Sequence, residues 1–118
     1  MTQASPTKRP VADALRQELR RGTLVLAVLA VLREEANGTA VRDALAGGGV
    51  EIDENALYPM LRRLEEQTLL TSEWRTEGSR NKRFYRLSSV GAETYAVLLA
   101  EWRHQTLGLE ALTGEQSR

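Results

Sequence analysis

Cysteine is absent from the 118 residues, and histidine occurs once, at His104. The first absence excludes a disulfide framework, every thiolate metal site and a cysteine nucleophile. The second leaves too few ligands for a histidine zinc site within one chain, so no metal or cofactor is expected. The longest apolar run, Leu24 to Leu32, has nine residues, far short of the roughly 20 that span a bilayer. Residues 1–10 hold no apolar segment of the kind a secretory signal requires, so a cytoplasmic protein is expected. Neither G-x-G-x-x-G nor G-x-x-x-x-G-K-[ST] occurs. A Ser-His-Asp site would have to recruit His104 from a helix with apolar or basic neighbours, where a solvent-facing or interface-rim position is expected instead. Glu34-Glu35 and Glu65-Glu66 diverge on helices and cannot share one substrate. Enzymatic function is not expected. Net charge is also lacking, with sixteen basic and sixteen acidic side chains.

The charges that cancel overall are unevenly placed. Residues 1–23 and residues 71–87 each carry five basic against two acidic side chains, whereas residues 51–70 carry two against five. A neutral chain can hold a polyanion on one basic face. With 42% hydrophobic residues, there is enough apolar material for one core. Residues 1–10 read as a flexible arm. VADALRQELRR reads as a helix that stops or bends at Gly22, and Thr23 is a candidate N-cap for a buried helix ending at Asn37-Gly38. Thr39 to Leu45 predicts a second helix, closed by Gly47-Gly48-Gly49. Asp53 or Asn55 caps a third, running to about Gln67, whose inward face is Leu57, Met60, Leu61 and Leu64. Pro59 requires that helix either to begin near Tyr58 or to bend.

The period then changes. LLTSEWR and KRFYRLS favour strands, with TEGSRN as a longer basic turn between them. Trp74 is expected in the core near Tyr85 and Leu87. Ser88 or Ser89 caps a last helix from about Val90 to Leu112, with Tyr95, Leu98, Leu99, Trp102, Leu109 and Leu112 as its stripe. The reading is therefore mainly α with a small β-hairpin: a winged helix-turn-helix over 11–87, a dimerisation helix over 88–112 and a frayed tail over 113–118. In that arrangement the third helix enters a major groove and the hairpin tip lies on flanking backbone. Asn55, Tyr58, Arg62 and Arg63 are the candidate contacts of the helix, and Ser79, Arg80, Asn81, Lys82 and Arg83 those of the wing. Arginine suits guanine edges or phosphate, asparagine adenine, and tyrosine a phosphate oxygen. A winged-helix core is complete near Leu87, so the stripe of the last helix calls for a second copy, a homodimer reading a two-fold site on double-stranded DNA.

ALYPMLRRLEEQTLL, the following SEW and KRFYRLSSVGAE resemble the PadR family of bacterial transcriptional regulators over roughly residues 20–112. Leu57-Tyr58-Pro59, Arg63-Leu64-Glu65 and Tyr85-Arg86-Leu87 carry the likeness. The resemblance implies a homodimeric winged-helix DNA binder, usually a repressor, of the compact branch with a short C-terminal part. It also implies occupancy of a palindromic operator, released by an effector between the subunits. Trp102 stands where some compact relatives stack a planar aromatic ligand; simple packing at the dimer interface is the preferred reading. Two positions depart from the family pattern. Thr39 replaces a tyrosine after Gly38, and Asn55-Ala56 replaces a Gly-Thr pair before Leu57. The rival class is a winged-helix protein-interaction module, supported by the acidic side chains flanking the third helix. Steep salt dependence of DNA binding separates the two.

Overall fold

The structure is a computed structural model that describes residues 8–114. The first seven residues of the expected arm and residues 115–118 of the expected tail lie outside the described residues. Along the chain come α1 (Lys8–Val31), β1 (Ala36–Asn37), α2 (Gly38–Gly47), α3 (Glu54–Glu66), β2 (Leu70–Glu77), β3 (Arg80–Leu87) and α4 (Ser89–Thr113).

α1 corrects two expectations. It begins at Lys8, inside the expected arm, and runs unbroken through Gly22. Thr23 caps nothing: its hydroxyl donates back to the Arg20 carbonyl at 3.0 Å. An interior glycine costs a helix only about 1 kcal/mol against alanine, too little to stop one flanked by good helix formers. α2 is capped by the Asn37 side chain, which accepts from the Ala40 amide. It closes in a Schellman turn, with Gly49 left-handed at φ +82° and the Val50 amide on the Leu45 carbonyl at 2.8 Å. Asp53, rather than Asn55, caps α3. The helix therefore starts before Pro59 and runs through it, leaving the Asn55 carbonyl without its usual helical donor. α3 ends in the same turn as α2, with the Leu69 amide on the Leu64 carbonyl. Here the left-handed position holds Thr68 at φ +66°, a strained place for a β-branched residue.

The expected two-stranded hairpin is the larger part of a three-stranded antiparallel sheet in the order β1-β3-β2. β1 adds Ala36 opposite Tyr85 and Asn37 opposite Phe84; two residues show no periodicity, so nothing in the sequence announces such a strand. The turn is also tighter than TEGSRN suggests. The strands pair out to Glu77 opposite Arg80, leaving Gly78-Ser79 with Gly78 at φ +63°, the arrangement of a type II′ hairpin.

The core joins three helices and two strands. Val28, Leu29 and Leu32 of α1 meet Val41 and Leu45 of α2, Leu57, Leu61 and Leu64 of α3, Leu70 and Tyr85. Burying each such side chain contributes about 1.5–3 kcal/mol. α4 adds no fully buried large side chain, but it is not independent of this core. Tyr95 and Leu98 pack against it, and the Arg33 guanidinium lies over the Tyr95 ring at 5.6 Å. Those two residues, expected at a dimer interface, are thus partly covered by their own chain, because the C-terminal half of α1 lies alongside. At its start α4 is clamped to the α3–β2 turn. The Ser88 amide donates to the Leu69 carbonyl at 3.0 Å, and its hydroxyl to the Thr68 carbonyl at 2.6 Å. Gly91 permits this approach, since a Cβ there would lie 1.9 Å from the Leu69 carbonyl oxygen. The radius of gyration is 17.5 Å, against about 13 Å for a compact chain of this size. The molecule measures 59 Å along its long axis.

Candidate nucleic-acid interface

A cleft of about 370 Å³ opens between α3, the start of α2 and the wing formed by β2 and β3. Tyr58 and Arg62 line it from α3, Asn37, Gly38 and Thr39 from the cap and first turn of α2, and Trp74 with Arg80 to Arg83 from the wing. Helical spacing puts Leu57, Leu61 and Leu64 inward, and Tyr58 and Arg62, one residue after Leu57 and Leu61, on the flank toward the wing. Tyr58 is held there by contact: its ring lies against Gly38, where a Cβ would stand 2.2 Å from the nearest ring carbon.

The cleft gathers six of the nine expected contact residues: Tyr58, Arg62, Arg80, Asn81, Lys82 and Arg83. Asn55 and Arg63 are exposed on α3 outside it, and Ser79 sits in the turn at the wing tip. The wing side chains differ in how free they are. Asn81 accepts from the Thr76 hydroxyl at 2.7 Å, and the Lys82 ammonium is 3.3 Å from the Glu77 carboxylate. Arg83 donates to Glu65 at 2.8 Å and to Ser72 at 2.9 Å. By contrast, no hydrogen bond or ion pair among the described residues engages the side chains of Arg62, Arg63 or Arg80. Of these three, Arg62 and Arg80 flank the cleft.

Trp74 is 63% exposed, which corrects its expected core position. It does point to the inner face of the sheet with Leu70 and Ser72, but there it borders the open cleft opposite Tyr58 and Arg62 rather than the apolar core. Its ring instead carries the Arg83 guanidinium at 5.5 Å. The sequence reading also missed Asn37, Gly38 and Thr39; their signal was the capping asparagine before a glycine. The outer face of the wing is braced separately. Arg75 makes two 2.7 Å hydrogen bonds to Glu35 and lies over Phe84 at 4.7 Å. That pairing holds the Glu35 carboxyl below the usual carboxylate range. Burial, the largest effect on Tyr85, raises its phenol.

A second concavity, about 360 Å³, runs between α1 and α4 and is lined by Leu19, Gly22 and Leu26 on one side and Leu98, Trp102 and Leu109 on the other. Trp102 is 44% exposed beside it. His104 is exposed on the same helix. Among the described residues no helix is long and apolar enough to cross a membrane, and no His, Cys, Asp and Glu group is arranged to hold a metal.

The architecture has close counterparts. A PadR family transcriptional regulator from Eggerthella lenta is 39% identical, with a TM-score of 0.82 over 92% of this chain and 97% of that one. A PadR-like transcriptional regulator from Bacillus cereus has a TM-score of 0.73 at 18% identity, over 84% of this chain and 99% of that one. Bacillus subtilis PadR, solved in complex with operator DNA, has a TM-score of 0.61 at 23% identity, over 65% of this chain and 46% of that one. Among curated proteins no match is found. The model of the transcriptional regulator PadR-like family matches residues 25–97, a span from the buried half of α1 to the middle of α4, and the chain belongs to that family.

Proposed function

We propose that this protein is a dimeric, sequence-specific DNA-binding repressor that occupies a palindromic operator. The observation that carries the reading is the cleft, where Tyr58 and Arg62 of α3 face the basic edge of the wing and, among the described residues, no acid pairs with Arg62 or Arg80. Two unpaired guanidinium groups beside an exposed groove match a phosphate backbone or a guanine edge. The Bacillus subtilis relative in complex with operator DNA supports this use of the fold. Dimerisation is supported by apolar side chains that this chain leaves uncovered: Val11, Leu15 and Leu19 on α1, and Trp102, Leu107, Leu109 and Leu112 on α4. A second copy laid along both helices covers them and sets two copies of α3 on one two-fold site. The groove beside Trp102 is a candidate seat for a small aromatic effector. Its occupation releases DNA if it favours a dimer geometry in which the two α3 helices no longer match the operator spacing.

The reading is tested with full-length Arg62→Ala and Arg80→Ala on a duplex that the parent protein selects from a random-sequence library. Each variant is expected to lose about tenfold or more in affinity, the range of one good base or phosphate contact. Sedimentation should show the same dimer as the parent. Retained affinity in both variants contradicts the assignment of the cleft.

A further inference from the structure

Glu65, in the last turn of α3, has both carboxylate oxygens engaged by the wing. Oε1 accepts from Arg83 Nη2 at 2.8 Å, and Oε2 accepts from the Ser72 hydroxyl at 2.7 Å. Arg83 Nε donates to Ser72 Oγ at 2.9 Å. One residue each from α3, β2 and β3 therefore close a ring of three hydrogen bonds, in which Ser72 accepts from one partner and donates to the other. The Arg83 guanidinium also lies against Trp74 and Tyr85, at 5.5 and 5.6 Å from the ring centroids. The ion pair is partly sheltered, with side-chain exposures of 33% and 27%.

The placement of this ring distinguishes it from a solvated surface pair. The core contacts between α3 and the strands, Leu57, Leu61 and Leu64 against Leu70 and Tyr85, are apolar. Such contacts are non-directional and tolerate small rotations of the sheet on the helix. Hydrogen bonds from a planar guanidinium fork do not. Beyond Tyr85 and Ser72 the wing leaves the core, so the ring is the last point at which its inner face is tied to α3. Arg80 at the tip lies three residues further, roughly 10 Å along the strand. A turn of about 10° at the ring would carry it by roughly 2 Å, enough to break register with a phosphate.

We propose that Glu65, Ser72 and Arg83 are positioning residues that fix the angle between the wing and α3, and so set how strongly the protein discriminates its operator from other DNA. The proposal rests on the reading of α3 and the wing as the DNA-contacting surface. It makes a prediction opposite in sign to simple electrostatics. A carboxylate near a polyanion opposes binding, so charge alone has Glu65→Gln tighten binding to every DNA equally. A positioning role has it lose preference for the operator.

The test compares full-length E65Q, S72A, R83K and the E65Q/R83K double variant with the parent on two duplexes. One is selected by the parent from a random-sequence library; the other is a scramble of the same composition. Each single variant is expected to lose about tenfold in the ratio of the two affinities, while affinity for the scramble is unchanged in S72A and unchanged or tighter in E65Q. The double variant should lose no more than either of its singles, because the ring is already open. S72A keeps both charges and so separates the geometry from the electrostatics; R83K keeps the charge a phosphate contact would need. An unchanged ratio in E65Q and S72A, or a double-variant loss equal to the product of the two single losses, overturns the positioning role alone. A parent protein that selects no duplex overturns the DNA-binding reading and this proposal with it.

Discussion

Of the nine glycines, Gly91 has the least room for a side chain. A Cβ there falls 1.9 Å from a backbone oxygen, whereas at Gly47 nothing lies within 4 Å. Gly91→Ala should therefore cost about 3 kcal/mol, since it separates α4 from the α3–β2 turn. Gly47→Ala should be neutral or stabilising by about 0.5 kcal/mol; urea midpoints at fixed protein concentration compare the two. Tyr85 makes a pH prediction. Burial raises its phenol above the ordinary value, so the folded chain holds this proton to a higher pH than the unfolded chain. Its contribution to stability is complete below the ordinary tyrosine range, about pH 10, and is lost as pH rises through the raised value. Thermal scans from pH 8 to 11 should show that alkaline loss, and Tyr85→Phe should flatten it. Neither position is remarkable as a letter in the sequence. Gly91 sits one turn into a helix with no cue that a carbonyl lies against it, and Tyr85 shares its inward parity with Trp74, which is exposed. Parity sets the face of a strand; what packs against that face sets how much of it is buried, and opposite Trp74 that is an open cleft.

The elements with strong periodicity or clear caps were legible. α3 followed from Leu57, Leu61 and Leu64 at helical spacing, α4 from its serine cap and lack of proline, and the two long strands from the change of period at Leu69-Leu70. The expected break in α1 gives Gly22 the weight of a stop, which a single interior glycine does not have. The unbroken course of α1 matters: Val11, Leu15 and Leu19 continue the helix beyond the core and are 59–73% exposed. Substituting Leu15 and Leu19 together by aspartate removes no contact within the core of one chain, but places charge where a second copy would pack. Sedimentation velocity should then report a monomer of unchanged helical content. A dimer that persists moves the interface to α4 alone. Likewise the stripe expected on α4 divides in two: Tyr95 and Leu98 serve the chain's own core, while Trp102, Leu109 and Leu112 are exposed.

In the folded chain, balanced charge is no obstacle to a polyanion partner. Of the acidic side chains on α3 and the wing, Glu65, Glu73 and Glu77 are taken up by Arg83, Arg75 and Lys82, while among the described residues no acid pairs with Arg62 or Arg80 at the cleft. The sequence placed both residues among its candidates but not the pairing that sorts free cations from committed ones, because that sorting depends on how the wing folds onto α3. The most direct measurement is the affinity of the protein for a selected duplex and for its scramble at 50 mM and 200 mM salt, by fluorescence anisotropy. The account predicts tighter binding to the selected duplex, and a weakening of roughly a thousandfold between the two salts if a dimer makes about six phosphate contacts. Folded dimeric protein that binds neither duplex, or binds both without dependence on salt, would contradict it.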